Sequence, residues 1–396
     1  MAMSDQIMYL DHAATTATDP HVLEAMLPYF TAHAGNPSSI HQLGREALQA
    51  IDDARHMVAD ILGANPKELI FTSGGSEADN LAIKGVALEQ QRRGKGNHII
   101  TSAIEHHAVL DTVEYLTHFG FEATILPVDR RGFVSLDDLR AAIRPTTVLA
   151  SIMYANNEIG TIQPVAELGA ICRERGVLFH TDAVQAAGSL PLDVRALNVD
   201  LLSLTAHKFY GPKGVGVLYA RRGTPLLPQI NGGSQERRRR AGTENTPGIV
   251  GLAAALRMAE EHRSSYAAHC AALRDKLIDG VLATIPFTQL NGDREARLPN
   301  NANLAFEFIE GESVLLLLDQ QGICASSGSA CTSGSLDPSH VITALGLPPE
   351  HAHASVRFSV GKNVTLADIE RLLALLPPMI ERLRAVSPLY REQVAA

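Results

Sequence analysis

No apolar run in this chain approaches the roughly 20 residues that a membrane-crossing helix needs. The longest notable one, Val314 to Leu318, stops at Asp319, so no membrane role is expected. The opening MAMSDQIMYLDH holds no basic stretch ahead of an apolar one. No secretory signal is read there, and the expected compartment is the cytoplasm. Cysteine is scarce: Cys172, Cys270, Cys324 and Cys331 show neither a CxxC pair nor zinc-ligand spacing. A reducing compartment argues against disulfides as well. HExxH is missing, and so is the phosphate loop GxxxxGK[ST], which counts against a metalloprotease or a P-loop nucleotide enzyme. Positive charge is not in excess either. The net charge of −9 opposes general nucleic-acid binding, and the basic run Arg237 to Arg240 reads as a solvated loop.

What is present is an ordinary globular composition, 45% apolar and 19% charged over 396 residues, enough for a large α/β domain and a smaller one. Asp19 or Thr18 caps a helix with Pro20 in its first turn. The stretch REALQAIDDARHMVADILG spaces Leu48, Ile51, Ala54, Val58 and Ile61 along a packing face of a second helix. From ELIF to GVGVLYA, apolar strands alternate with helices across short loops. That alternation predicts a mostly parallel sheet covered on both faces, with ligands bound beyond the carboxyl ends of the strands. Beyond Leu226 the pattern loosens into GGSQERRRRAGTENTPG, followed by helices over 248–262 and 268–282. Later strands are ANLAFEFI, GICASS and ASVRFSVG, and Pro377 and Pro378 are expected to break or kink the last helical stretch. The division expected is a large domain of 15–262 and a small one made of 1–14 and 263–396.

The candidate chemistry gathers at strand ends. Lys208 follows the buried strand VDLLSLT and precedes the turn Gly-Pro-Lys-Gly. A lysine after a strand is by itself commonly a surface group, but partly apolar surroundings depress an amine's pKa and make it a Schiff-base former. Asp182 ends the strand VLFHTD, with Gln185 just beyond. An aspartate so placed, together with such a lysine, is what pyridoxal phosphate requires: the carboxylate keeps the pyridine nitrogen protonated while the amine holds the aldehyde. Asn157 and His207 fall at strand ends too. Gly74 and Gly75 let backbone amides approach an anion at a helix N-terminus, and Ser76 adds a hydroxyl. His106 and His107 end another strand, where an imidazole either stacks on a cofactor ring or sits in a polar loop. In Ala325 to His340, ASSGSACTSGSLDPSH, almost every residue is small or polar. It predicts a mobile loop that could carry the Cys331 thiol to a substrate and hand something onward. Cys324, in the apolar ICA segment, reads as buried and inert.

Nearly end to end, the motifs resemble the cysteine desulfurases of the NifS/IscS group, pyridoxal-phosphate-dependent enzymes of fold type I in the class-V aminotransferase family. The resemblance is carried by LDHAATT, GNPSS, FTSGGSEADNLA, EHHAVL, NNEIGT, HTDAVQA, AHKFYGPKG, RRAGTEN, SSGSACTSGSLDPSH and VRFS. It implies Lys208 as the Schiff-base lysine, Asp182 as the pyridinium partner and His106 as the stacking imidazole. Asn157 and Gln185 would contact the ring hydroxyl and the substrate side, and Gly75, Ser76, Thr205 and His207 the phosphate. Thr243 would reach the neighbouring subunit's phosphate, which implies a homodimer. Arg357 would clamp the substrate carboxylate, and Cys331 would carry the persulfide.

The implied reaction turns L-cysteine into L-alanine: Lys208 removes the α-proton, His106 handles protons at the substrate thiol, and Cys331 takes the sulfur for an iron–sulfur scaffold protein. No resident metal is implied, although Cys331 could ligate a transferred cluster. The SACTSGS wording and RRAGTEN lean toward the nitrogenase-associated branch. Housekeeping iron–sulfur or tRNA-thiolation supply, a selenocysteine lyase, a plain aminotransferase or β-lyase and a non-catalytic adaptor are the rivals. Three positions depart from the family wording: Ser76 stands where threonine is commoner, Cys324 where alanine is usual, and VGKNVT replaces GR-x-TT. Cys324 thereby becomes a candidate second sulfur acceptor.

Overall fold

The chain, seen as a computed structural model, is described over residues 7–327 and 338–395. Twelve strands among the described residues are β1 (Met8–Tyr9), β2 (Leu69–Thr72), β3 (His98–Ser102), β4 (Glu122–Leu126), β5 (Thr147–Ser151), β6 (Leu178–Asp182), β7 (Leu201–Thr205), β8 (Gly216–Ala220), β9 (Thr288–Leu290), β10 (Asn301–Phe306), β11 (Ile323–Cys324) and β12 (Ser355–Ser359). Seven of them form one sheet in the order β2-β8-β7-β6-β5-β3-β4. Only β8 runs against its neighbours; the other pairings are parallel. The mixed, mostly parallel sheet and the smaller α/β part are the fold-type-I architecture that the sequence implies.

Alternation along the strands places helices on both faces. Leu202 and Leu204, Val217 and Tyr219, and Leu69 and Phe71 join Ile51, Val58, Leu252 and Leu256 in one apolar cluster. Their in-between neighbours Leu201, Leu218 and Ile70 join Leu81, Val86, Val109 and Leu116 in another. A two-residue period has sorted each strand between two helix layers. The helices Gln42–Leu62 and Thr246–Glu261 lie on the first face, Gly75–Arg92 and His107–Thr117 on the second.

A third cluster is built late in the chain. The antiparallel sheet β12-β10-β9 packs with the helices Arg263–Thr284 and Leu366–Val386 through Leu304, Phe358, Leu277, Leu372 and Leu376. Met8 and Leu10 belong to this cluster, because β1 pairs in parallel with β11, Met8 facing Ile323.

Several local expectations change. Asp19 is the cap of the helix Pro20–Met26, accepting from His21 N at 2.9 Å. The helix Leu366–Val386 runs unbroken through Pro377 and Pro378. Ile369, Leu372, Leu376 and Ile380 anchor its buried side while Pro378 is exposed, so carbonyls freed by the prolines can turn to water. Leu48 does not pack; it is exposed while Ile51, Ala54 and Val58 are buried. Strand structure in GICASS is limited to Ile323–Cys324, and Cys324 is half-buried, its thiol pKa raised first by burial. The arginine run is not simply solvated either: Arg240 pairs with Glu77 at 2.9 Å, and Arg237 donates to the Leu69 carbonyl.

Candidate active site

A cavity of about 390 Å³ opens beyond the carboxyl ends of β5, β6 and β7. It is lined by Gly75, Ser76, His106, Asn157, Asp182, Gln185, Thr205, His207, Lys208 and Arg357, together with the small residues Ala13 and Ala14. Ten of the positions singled out in the sequence thus converge on one space. Two others do not. Thr243 lines a separate cavity of about 210 Å³ with Ser73, Glu236 and Arg240, and Cys331 lies outside the described residues.

Lys208 is delivered by a single helical turn, Ala206–Lys208, that follows β7 directly. Its Nζ donates to the carbonyls of Ala13 and Ala14, at 2.6 and 2.7 Å. Gln185 Nε2 meets the same Ala13 carbonyl at 3.0 Å. The N-terminal segment therefore forms one wall and holds the amine by neutral acceptors.

Asp182 is the last residue of β6 and 7% exposed. Its Oδ1 accepts from Val184 N at 2.8 Å. Burial pushes its pKa up to about 6, against the Val184 N–H and the Lys208 charge, which pull it down. A buried carboxyl so poised gains most from a cationic partner, and a protonated ring nitrogen is such a partner.

His106 caps the helix His107–Thr117, its Nδ1 accepting from Ala108 N at 3.0 Å. Burial first, then Lys208 and the neighbouring histidines, lower its pKa to about 4. The ring is therefore neutral, and the hydrogen bond assigns its proton to Nε2. A neutral imidazole in that tautomer presents a donor at Nε2. His207 is likewise held neutral, its pKa lowered to about 4 by burial and by Lys208 and Lys213. Its Nδ1 lies 3.1 Å from Thr15 Oγ1.

The turn from β2 into the helix Gly75–Arg92 is shaped for close approach. A Cβ on Gly75 would stand 2.9 Å from Val184 Cγ2, and one on Gly216 would stand 2.7 Å from the Gly74 backbone. Only glycine lets this helix N-terminus come so near the ends of β6 and β7. Ser76 and the first-turn amides sit where a phosphate is favoured. Thr205 Oγ1 donates to the Val215 carbonyl at 3.2 Å, leaving the hydroxyl oxygen able to accept.

From the later sheet, β12 brings Arg357, 1% exposed. Its guanidinium donates to Asp11 Oδ1 at 2.8 Å and to the Asn157 carbonyl at 2.9 Å. A carboxylate already shares this guanidinium, so a substrate carboxylate would have to join or displace Asp11.

Four further titratable residues line the cavity that sequence reasoning did not select: Asp79, Glu105, Glu158 and His340. His340 Nε2 lies 2.9 Å from the Glu105 carbonyl, and Ser339 Oγ donates to Glu158 Oε2 at 2.6 Å. These bonds fasten Ser339 and His340 to the wall of the cavity. No sequence signal marks Glu105 or Glu158 as buried, whereas His340 could have been noted as the histidine closing the cysteine-bearing stretch.

The residues fit pyridoxal phosphate: an amine, a buried carboxyl awaiting a cation and a glycine turn at a helix N-terminus enclose one cavity. Comparison with known proteins points the same way. The family model described as aminotransferase class-V matches residues 8–372. A relative called cysteine desulfurase IscS, from Methanosarcina thermophila, is 54% identical over 389 residues, covering 98% of this chain and 96% of its own. Among solved structures, a NifS-like protein superposes with a TM-score of 0.89 at 39% identity, over 96% of this chain and all of that one. A structure described as SspA in complex with cysteine gives a TM-score of 0.80 at 39% identity, over 89% and 99%.

Proposed function

The chain belongs to the class-V aminotransferases and, within them, to the pyridoxal-phosphate-dependent cysteine desulfurases, and from that we propose that it supplies sulfur from L-cysteine to a scaffold protein of iron–sulfur cluster assembly. The observation that carries the proposal is the meeting of Lys208, Asp182, His106 and Arg357 around one cavity.

When bound, pyridoxal phosphate supplies an electron sink that weakens the bonds around the α-carbon of an amino acid. In our reading Asp182 would hold the ring nitrogen, His106 would stack on the ring, and Asn157 and Gln185 would contact its hydroxyl and the substrate side. Gly75, Ser76, Thr205 and His207 hold the phosphate. Arg357 orients the substrate carboxylate. Lys208 would hold the cofactor's aldehyde and would move the proton at the substrate Cα. The Cys331 thiol takes the substrate sulfur as a persulfide, and the carbon skeleton leaves as alanine with one proton gained at Cβ.

Two observations support a homodimer in which Thr243 serves the neighbouring site. Thr243 stands away from the lysine cavity of its own chain. The stretch 23–48 also exposes Leu23, Leu27, Phe30, Leu43 and Leu48, with Ile40 91% exposed, an apolar set suited to burial against a second copy. We keep as part of this reading the division into a large domain of 15–262 and a small one of 1–14 with 263–396, which the separate apolar clusters of the seven-stranded sheet and of β12-β10-β9 support. No helix among the described residues is long and apolar enough to cross a membrane. For the pathway, the IscS name of the relative that is 54% identical favours general, housekeeping iron–sulfur supply over the nitrogenase-linked supply that SACTSGS suggests.

The test is a purified sample given L-cysteine and a thiol. Equal yields of alanine and sulfide are expected from a yellow protein. Cys331→Ala should stay yellow and lose sulfur release; sulfur release at the wild-type rate without Cys331 would defeat the reading.

A further inference from the structure

Two carboxyls with no part in the reading above face the lysine cavity beside Asp182. Asp79 comes from the first turns of the helix Gly75–Arg92, and Glu105 from the segment between β3 and the helix His107–Thr117. They are 2% and 0% exposed. Asp79 Oδ1 and Glu105 Oε2 have no hydrogen-bond partner among the described residues. A carboxylate stays ionised in such a place only when cations or donors satisfy its oxygens.

The surroundings of Asp79 offer little of either. The Ser203 hydroxyl favours its charged form only in part, and His180 Nε2 lies 3.6 Å from Oδ1. His180 brings no charge, because complete burial drives its pKa down to about 3. Both of its nitrogens are engaged besides, Nδ1 at 2.8 Å from Ser151 Oγ and Nε2 at 2.9 Å from Ser203 Oγ. The nearest cations in the cavity are bound elsewhere, Lys208 to the Ala13 and Ala14 carbonyls and Arg357 to Asp11 and Asn157. Burial first, and then negative charge on Asp182 and on Glu105, raise the Asp79 pKa well above the ordinary range, against a partial lowering by Ser203.

We propose that Asp79 is a positioning residue held as a neutral acid in the working enzyme, so that Asp182 alone offers a protonated ring nitrogen a carboxylate charge. The inference rests on the lysine cavity being the cofactor's site. The Asp79 proton spares Asp182 a second negative charge beside it, and the carboxyl keeps Ser203 and His180 in their bonds, which fixes the floor against which Asp182 lies.

The experiment uses wild-type chain, Asp79→Asn and Asp79→Leu, each stripped of cofactor and titrated with pyridoxal phosphate, with affinity read from the visible absorption. Infrared spectra of the loaded proteins, grown with isotope-labelled aspartate, report protonated aspartate directly. Asp79→Asn keeps the shape without a charge and should bind within about threefold of wild type, while Asp79→Leu should bind about tenfold or more weakly. A labelled protonated-carboxyl band should be present in wild type and absent from Asp79→Asn. Equal weakening by Asn and Leu would mean that Asp79 had supplied a charge and would overturn the inference. So would a Leu variant that binds like wild type, or a wild-type spectrum with no protonated aspartate. Failure of the wild-type chain to take up the cofactor would sink the site assignment itself, and this inference with it.

Discussion

Glu105 ties the cavity to pH most directly. Its Oε1 accepts from Ser102 Oγ at 2.6 Å and from Met153 N at 2.9 Å, which pins the backbone that carries His106. Burial raises its pKa from the ordinary 4.5 to about 8, those two hydrogen bonds lower it in part, and Asp182 raises it further. Between those values the folded protein keeps a proton that the unfolded chain has released, so the contribution of Glu105 to stability falls as pH rises through the window. Glu105→Gln keeps both accepted bonds and never ionises. Denaturation of the cofactor-free protein at acid and alkaline pH should therefore show the variant gaining on wild type toward alkaline pH, by on the order of 1–3 kcal/mol; equal shifts in both proteins would refute it. Lys208, Asp182, Asn157 and Gln185 were legible in the sequence because strand ends are where this sheet binds ligands. Asp79 and Glu105 were not, since an acid early in a helix or beside a histidine reads as a solvated or dipole-favoured charge. Only the folded chain shows that water has been taken from them.

At the level of elements, alternation along β2, β7 and β8 could be read directly, because each residue must face one helix layer or the other. The turn after Ser234 could not. Glu236, Arg237 and Arg238 have φ of 44°, 57° and 63°, a left-handed run that costs roughly 1–2 kcal/mol per residue. What holds it is long-range. Arg55, from the helix Gln42–Leu62, donates to both Glu236 oxygens, at 2.6 and 2.9 Å, and Glu236 Oε2 also accepts from Phe71 N at 3.1 Å. Both side chains of the ion pair are under 10% exposed. Arg55→Met should then destabilise the protein by about 3–5 kcal/mol, because it strands a buried carboxylate. Glu236→Gln added to it should recover part of that loss, and chemical denaturation of the two variants measures the difference. A loss under about 1 kcal/mol in the single variant would mean that the pair does not hold the turn. Nothing near RRRR in the sequence points to Arg55, which lies some 180 positions upstream.

For the whole molecule, the question is whether one chain is a complete enzyme. The Glu236–Arg238 turn leads into Thr243, and Thr243 faces a cavity other than the one that holds Lys208. If two copies meet so that each lends its Thr243 to the other, a site needs Lys208 from one chain and Thr243 from its neighbour. Ile40→Glu with Phe30→Glu, placed on the exposed apolar stretch, should shift the protein from dimer to monomer in sedimentation and loosen cofactor binding with it. Complementation tests the exchange itself. Lys208→Ala removes the anchoring amine, and Thr243→Glu sets a negative charge against a phosphate, so each variant alone should lack desulfurase activity. Mixed dimers of the two contain one site with Lys208 intact and an unmodified Thr243 lent by the partner. Activity and yellow colour should return in proportion to the mixed dimers formed. A chain carrying both substitutions, mixed with wild type, provides no such site beyond those of the remaining wild-type dimers. Mixed dimers that form, as mass measurement would show, yet stay inactive would place Thr243 in the service of its own chain and remove the reason for two copies to meet in this way.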